Sequence, residues 1–285
     1  MFRTDLAIEN MEEADSDISG VISEESNFGD VKISRIRVID NIGVEALGRP
    51  IGNYITVEVP PFTDDIGSDE IISVIKKELK ALIKGRESIL VIGLGNTAIT
   101  PDALGPRVAD KILATRHISG EVAKSIGMDD LKSVAVLAPG VLGQTGIETG
   151  EIIKGVADKI KPDALIVIDA LASRRLSRLG CTVQMSDTGI SPGAGVGNKR
   201  MQINEQTIGL PVISIGVPTV VDAVTLAYDL TGHDCHTDVE PRGAHMIVTP
   251  QEIDLLIDRA ASTVAHAINC AIQHEVDPDV LLALV

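Results

Sequence analysis

Two aspartates each follow an apolar run in this sequence, and their chemistry is the first indication of a site. Asp102 lies in "VIGLGNTAITPDALGP" (91–106), just after the run V-I-G-L-G, and Asp169 ends the run "ALIVID" (164–169). In an open parallel sheet, the carboxyl ends of the strands line the crevice where ligands bind. Two carboxylates that converge there can share a proton, or hold a metal ion or a water nucleophile.

The first of these stretches also satisfies the loose nucleotide-binding pattern G-x-G-x-x-A through Gly93, Gly95 and Ala98. A complete dinucleotide fingerprint requires an acidic residue about 20 positions further on, at the end of a second strand. Here that region keeps a helical pattern and is short of acids, and Pro101 lies inside the turn. The preferred interpretation is therefore a tight exit from the strand, which glycine permits.

Two glycine-rich segments follow other apolar runs. In "APGVLGQTGIETGE" (138–151), Gln144, Thr145 and Thr149 are candidates to donate hydrogen bonds to a substrate backbone. The segment "SDTGISPGAGVGNKR" (186–200) lacks the context of a phosphate-binding loop. It is interpreted as a flexible surface loop, as a mobile flap over the crevice, or as a nest of backbone N–H groups that holds an oxyanion.

A basic cluster follows Asp169, at Arg174, Arg175 and Arg178 of "SRRLSR". In so acidic a chain, such a cluster can select an acidic side chain of a substrate, although a solvated helix face is an equal alternative. The candidate substrate-binding residues are Asn96, Thr100, Gln144, Thr145, Arg174, Arg175, Gly193 and Gly195.

One segment gathers residue types that bind metals. The stretch "TGHDCHTDVEPRGAHM" contains His233, Cys235, His236 and His245. The spacing is not that of a tetrahedral zinc finger, and no H-E-x-x-H occurs in the chain. A polar loop is the favoured interpretation, and neither a metal site nor a cofactor is predicted.

The elements that must position these residues follow an alternating pattern. Apolar runs predict strands at 31–40, 53–60, 89–95, 134–140, 164–171, 181–186 and 211–218. Helical spacing predicts helices at 69–84, 105–117, 150–160, 219–230 and 250–272. The last should begin with a capping box, with Thr249 as N-cap, Pro250 at the first helical position and Glu252 closing the box. The first 30 or so residues show little periodicity. We therefore expect one α/β domain, a three-layer, mostly parallel twisted sheet with helices on both faces.

Composition narrows the function classes. Of the 285 residues, 44% are hydrophobic, with no Trp, two Tyr and three Phe, so the core must be aliphatic and base stacking on aromatic side chains is not expected. The formal charge of −16 repels a phosphate backbone, which argues against direct nucleic-acid binding. Three widely spaced cysteines fit a reducing compartment. The acidic N-terminus does not match a signal peptide, and no membrane span is expected. A soluble, intracellular protein is the expectation.

Several stretches together resemble one family, the spore germination proteases (peptidase family A25), which degrade small acid-soluble spore proteins when endospores germinate. The matching stretches are "RTDLAIE", "GLGNTAITPDALGP", "LAPGVLGQTGIETGEI", "DALIVIDALASR", "DTGISPGAGVGNKR", "IGVPTVVDA" and "MIVTPQEID", from Arg3 to Asp254. The resemblance implies a fold similar to the hydrogenase-maturation peptidases. It also implies that Asp102 and Asp169 are the catalytic pair of an atypical aspartic-type endopeptidase. Because the matching positions help to bind a metal in those maturation peptidases, both chemistries remain open.

The resemblance further implies a zymogen that removes its own propeptide, with the Asp5–Leu6 bond of "RTDLAIE" as the matching site. Residues 1–5 would be the propeptide and residues 6–285 the peptidase domain. A homotetramer in the forespore or spore core is also implied. Two rival functions remain: a metal-dependent maturation-type peptidase, and a non-enzymatic α/β ligand-binding module.

Overall fold

The computed structural model of this chain describes residues 4–14, 18–64, 69–118, 131–193, 200–232, 246–276 and 281. Gly195 and the predicted polar loop with His233, Cys235, His236 and His245 lie outside the described residues.

Strands and helices alternate along the described chain. The strands are β1 (Val21–Phe28), β2 (Val31–Val38), β3 (Gly52–Glu58), β4 (Ser88–Gly93), β5 (Ser133–Leu137), β6 (Ala164–Ser173), β7 (Thr182–Ser186), β8 (Val212–Asp222) and β9 (Ile247–Val248). The helices are α1 (Ala7–Glu13), α2 (Asn41–Leu47), α3 (Asp69–Ile83), α4 (Leu104–Ala109), α5 (Leu142–Thr145), α6 (Thr149–Ile160), α7 (Glu205–Ile208), α8 (Ala223–Thr231) and α9 (Ile253–Ile272). Short 3₁₀ helices occupy Thr100–Asp102 and Leu176–Arg178.

All the strands join one sheet in the order β1-β2-β3-β7-β8-β6-β4-β5, and β9 pairs with β8. Strands β8, β6, β4 and β5 pair in parallel, whereas the other pairings are antiparallel. The parallel strands are the ones with continuous apolar runs, because both of their faces are covered. Strand β4 ends at Gly93, which pairs with Ile168, whereas β6 and β8 continue beyond that level. Asp169 thus lies within β6, one residue past the end of β4 and opposite Gly216 of β8.

Helices cover both faces of the sheet. On one face α3, α4 and α9 pack on the sheet, with Leu79 and Val264 fully buried beside Val91. On the other face α6 and α7 cover the parallel strands, while α1 and α2 cover the antiparallel ones. The expectation of an α/β sheet between helical layers is confirmed. Among the described residues, no helix has both the length and the apolar character needed to cross a membrane.

Helix α4 is shorter than predicted, because it ends at Ala109 rather than near residue 117. Beyond it the backbone bonds to other elements. The Leu113 N–H donates to the Asn269 side chain (3.0 Å), and the same side chain donates to the Lys111 carbonyl (3.0 Å). A helical repeat of apolar residues could not reveal this, since the competing partner lies on α9.

The start of α9 also differs from the prediction. The helix begins at Ile253, and Glu252 at its N-cap position makes no capping hydrogen bond through its side chain. The Thr249 hydroxyl donates instead to the Thr219 carbonyl of β8 (2.8 Å). The predicted capping box is therefore wrong, because Thr249 ties the preceding segment to the sheet.

The N-terminal region is more regular than its sequence indicated. Strand β1 pairs with β2 along its whole length, and α1 packs its first turn into the core. Leu6, which precedes α1, and Ala7 are fully buried. The prediction of an irregular start is therefore wrong: most of the acidic side chains point outward, and a few apolar residues anchor the segment.

Candidate active site

Glycines allow the exit of β4 to lie against the turn that carries Asp102. A Cβ on Gly95, whose φ is +122°, would lie 1.9 Å from the Asp102 carbonyl oxygen. A Cβ on Gly93 would lie 2.2 Å from the Gly105 carbonyl oxygen. The G-x-G pattern therefore serves backbone contact, as the tight-exit interpretation expects.

The turn itself is held from three sides. The Asp102 N–H donates to the Ile99 carbonyl (2.8 Å), and the Asn96 N–H donates to the Asp102 carbonyl (3.1 Å). From β8, the Thr219 hydroxyl donates to the Pro101 carbonyl (2.7 Å). This turn thus places Asp102 at the carboxyl edge of the parallel strands.

Asp169 comes to the same edge on β6 and is buried, with 7% of its surface exposed. Its Oδ1 accepts a hydrogen bond from the Ala170 N–H (2.9 Å). The Leu94 N–H donates to the Ile168 carbonyl (2.8 Å), so the β4 exit and the Asp169 strand form one rigid edge. The two aspartates that the sequence singled out line the same cavity.

The two carboxyl groups differ in their affinity for protons. Burial raises the pKa of Asp102, and a hydrogen bond from the Asn96 backbone opposes that shift. Burial raises the pKa of Asp169 well above its ordinary value, and the negative charges of Asp102 and Asp5 raise it further. At a pH between the two titrations, Asp169 holds a proton while Asp102 is ionised, which is the arrangement that general acid–base chemistry needs.

The cavity has a volume of about 480 Å³. Its lining residues are Asp5, Leu94, Gly95, Ile99, Pro101, Asp102, Gly140, Val141, Leu142, Glu148, Thr149, Gly150, Asp169, Ala170, Ala172, Pro192, Gly193, Arg200, Met201, Ile203, Thr219, Val220, Ile247 and Thr249. Most of these residues are apolar or glycine and a few are polar, as is typical of ligand-binding cavities.

The chain places its own N-terminal segment in this cavity, at Asp5. The Asp5 N–H donates to the Ala172 carbonyl (2.9 Å), and the Ala172 N–H donates to Asp5 Oδ2 (2.9 Å). The Gln184 side chain donates to the Asp5 carbonyl (2.8 Å) and accepts from the Ala7 N–H (2.6 Å). Gln184 thus contacts the backbone on both sides of the Asp5–Leu6 bond.

The predicted substrate-binding residues around the first glycine-rich segment lie beside the cavity. Asn96 accepts a hydrogen bond from the Gln144 side chain (2.7 Å), which joins the two loops. The Thr145 hydroxyl donates to the Ile147 carbonyl within its own loop (3.0 Å). Asn96, Thr100, Gln144 and Thr145 are not among the described residues that line the cavity. The predicted Thr149 and Gly193 do line it.

The basic cluster has partners within the chain. Arg174 pairs with Glu13 of α1, and Arg175 Nε lies 3.0 Å from Glu12 Oε2. Arg178 binds Glu12 as well, at 2.6 Å. These arginines are not among the described residues of the cavity wall, and their contacts hold α1 against the sheet.

Several cavity residues escaped sequence reasoning. Arg200 lines the cavity, with its Nη1 3.9 Å from Glu148 Oε1, and Thr219 forms part of the wall. Arg200 is an isolated charge in a loop and Thr219 is a single hydroxyl within a strand. Neither gives a periodic signal, so the sequence did not single out either residue. Within the described ranges, no group of three or more His, Cys, Asp or Glu side chains is arranged to hold a metal ion.

Comparison with known proteins identifies consistent relatives. The family model described as "Germination protease" matches residues 3–234. A germination protease of Caldanaerobacter subterraneus subsp. tengcongensis is 44% identical, covering 95% of this chain and 94% of the relative. Those of Clostridium perfringens and Priestia megaterium are 42% and 37% identical, covering 95% and 96% of this chain and 95% and 92% of the relatives.

Among solved structures, a [NiFe] hydrogenase maturation protease, HycI from Thermococcus kodakarensis, is similar with a TM-score of 0.40 and 18% identity. The match covers 68% of this chain and 98% of that one.

Proposed function

This chain belongs to the germination protease family and is a peptidase of spore germination, and we propose that it cleaves peptide bonds with Asp102 and Asp169 as its acid–base pair. We propose further that it is a zymogen that cuts its own Asp5–Leu6 bond and then degrades small acid-soluble spore proteins.

One observation carries this proposal: Asp5 lies in the cavity that Asp102 and Asp169 line. Hydrogen bonds to Ala172 and Gln184 hold its N–H, its carboxylate and its carbonyl, so the bond to Leu6 is presented in a defined position. Holding the reacting groups in one geometry supplies much of the rate enhancement of an enzyme. The segment therefore occupies the site as a substrate would.

The mechanism assigns different roles to the two carboxyl groups. Ionised Asp102 removes a proton from a water molecule as the water oxygen attacks the Asp5 carbonyl carbon. Protonated Asp169 then donates its proton to the Leu6 nitrogen as the C–N bond breaks. This assignment is supported by the deeper burial of Asp169 and by the neighbouring charges of Asp102 and Asp5, all of which favour its protonated form.

Gln184 supplies the third group. Its side-chain amide already donates to the Asp5 carbonyl oxygen, on which negative charge develops during attack. A donor aimed at that oxygen lowers the barrier, because it stabilises the transition state more than the ground state. The bond from the Ala7 N–H fixes the orientation of this amide.

The proposal also includes the substrate of the enzyme, its oligomeric state and its location in the cell. The family's name points to proteins degraded at germination, and a formal charge of −16 keeps the enzyme away from the nucleic acid that spore proteins coat. The second glycine-rich segment contributes Pro192 and Gly193 to the cavity wall, where a bound substrate would contact it. A homotetramer in the spore core is proposed from the family and is tested by the mass of the native protein in solution.

The test uses the full chain, incubated alone and with a small acid-soluble spore protein, and measures intact masses over time. We expect loss of residues 1–5 and cuts in the added protein between an acidic and an apolar residue. The Asp102→Asn and Asp169→Asn variants should lose both activities by at least about a thousandfold, the upper range for acid–base groups.

An Asp158→Asn variant is the matched control, because Asp158 lies exposed on α6 and pairs only with Lys154 among described residues. It should cleave at the parental rate. Full cleavage by either cavity variant would refute the acid–base assignment. Cleavage that a chelator abolishes would favour the metal-dependent alternative instead.

A further inference from the structure

A second cavity, of about 280 Å³, lies beside the first and shares Asp5 with it. Its wall is mostly polar and includes Tyr54, Gln184 and Ser214. Arg49 is the one cationic side chain among the described residues that line it. Asp5 therefore lies between two spaces, one with the carboxyl groups of Asp102 and Asp169 and one with a guanidinium group.

Arg49 already contacts the N-terminal segment. Its Nη2 donates to the Thr4 carbonyl (3.1 Å) and to Asn10 Oδ1 (3.0 Å). Its Nε is buried and has no hydrogen-bond partner among the described residues. Burial lowers the pKa of Arg49, and the negative charge of Asp5 opposes that shift. A buried guanidinium with an unused donor is suited to a further anionic partner.

Resting on the proposed cleavage at Asp5–Leu6, we propose that Arg49 determines the specificity of that cleavage for an acidic residue immediately before the scissile bond. The guanidinium holds the carbonyl of the residue preceding that acid and balances the charge of the acid itself. Arg49, rather than the cluster at Arg174 and Arg175, is then the cation that reads the substrate.

The charges around Asp5 give the physical reason. On one side, Asp5 and Asp169 repel each other when both are ionised, which keeps the proton on Asp169. On the other side, Arg49 compensates for that repulsion when the residue is acidic. An amide side chain would remove the negative charge that acts most strongly on Arg49 and leave only more weakly interacting groups such as Glu9, which disfavours the wrong substrate.

The basic cluster is less suited to this role. Arg174 and Arg178 are each less than 10% exposed and are paired with glutamates of α1. They would have to release α1 before they could bind a substrate, whereas Arg49 contacts the backbone next to Asp5 in the present structure.

The test is a double-mutant cycle on self-cleavage of the full chain, followed as the rate at which the chain beginning at Leu6 appears. Changing Asp5→Asn in the parent should slow cleavage at least about tenfold, the discrimination expected of a site built for one polar group. In an Arg49→Gln background, the same Asp5→Asn change should alter the rate less than about twofold, because the charge that reads the acid is gone.

Two further variants keep the cycle interpretable. Arg49→Met also removes the charge while keeping an unbranched side chain, and it replaces Arg49→Gln if that variant does not fold. We expect the same ratio of less than about twofold in this background. Arg49→Lys restores the charge and should recover part of the preference for Asp5. Arg37→Gln, an exposed arginine on β2, is the control and should leave the tenfold ratio intact.

An undiminished ratio in both Arg49 backgrounds would overturn the role of Arg49 while leaving the protease intact. Absence of any cleavage in the parent would instead refute the proposed self-processing, and with it this inference.

Discussion

Two groups of acidic side chains include residues of the N-terminal segment, and they differ in how closely arginines balance their charge. Beneath α1, Glu9, Glu12 and Glu13 meet three arginines of the segment after β6. Among the described residues that line the cavity, by contrast, the acids Asp5, Asp102, Glu148 and Asp169 occur with one arginine, Arg200, which pairs with Glu148.

The pKa values of Glu12 and Asp169 differ in the direction that these charges predict. Hydrogen bonds from Arg178 hold the pKa of Glu12 at about 2, so that carboxylate stays charged over the whole physiological range. Burial and neighbouring carboxylates raise the pKa of Asp169 well above its usual value. The same residue types therefore hold a helix in place where arginines balance their charge, and retain protons more readily where burial and like charges dominate.

The ion pairs between the glutamates of α1 and the arginines after β6 are called the anchor below. Among the variants that test it, Glu9→Ala should have the largest effect. Glu9 is fully buried and accepts from the Arg174 and Arg175 backbone N–H groups, at 2.7 and 2.8 Å. Its Oε1 also lies 3.8 Å from Arg178. Removing it leaves two backbone N–H donors unpaired and takes one of two counter-charges from Arg178, which keeps Glu12. We therefore expect the free energy of unfolding to fall by about 3–5 kcal/mol. Urea denaturation measures this, and a loss below about 1 kcal/mol would contradict the anchor.

The next largest effect concerns the geometry of the cavity. Gly95→Ala places a Cβ 1.9 Å from the Asp102 carbonyl oxygen at a φ of +122°, so we expect a loss of about 2–3 kcal/mol in stability. Displacing Asp102 should also slow cleavage about a hundredfold. Gly85→Ala is the matched control, because φ is +72° and a Cβ there meets no heavy atom within 4 Å. Equal effects on activity in both variants would argue against a precisely held Asp102.

The buried carboxyl group of Asp169 should lower the free energy of unfolding at neutral pH. Since the pKa of Asp169 is raised in the folded state, the native protein binds more protons there than the unfolded chain. Its stability therefore falls as pH rises above the ordinary carboxyl range. We expect Asp169→Asn to stabilise the fold by about 1–2 kcal/mol at neutral pH and by less near pH 4, measured by thermal unfolding. A destabilised variant at neutral pH would contradict this.

The anchor should give stability the opposite dependence on pH, because its contribution is lost as pH falls. The change in free energy should be smaller than that caused by Asp169. The pKa of Glu12 is depressed to about 2, so its contribution is present above about pH 4.5 and is lost as pH falls from there through about 2. Because the pair is partly exposed, solvent screening limits the contribution to about 1 kcal/mol. Glu12→Gln should therefore flatten the acid side of the stability profile. Glu45→Gln removes an exposed carboxylate on α2 that has no ion pair among the described residues, and it should leave that profile unchanged.

Much of the parallel half of the sheet could be predicted, because buried strands carry continuous apolar runs whose positions do not depend on distant partners. Asp102 and Asp169 could be found for the same reason, since each follows such a run. The end of α4 and the start of α9 could not be predicted, because side chains far away in the sequence determine them. Asn269 of α9 receives the chain after α4, and Thr249 bonds to β8 instead of capping α9.

The sequence by itself determined the alternation of strands and helices, the family of the chain and the two aspartates that follow apolar runs, because these depend on local patterns. Only the tertiary structure decided that Asp5 lies in the cavity, that the basic cluster holds α1, and that Arg49 is beside Asp5. Those facts depend on pairings between residues more than 40 positions apart, and charge alone does not specify which acid meets which arginine.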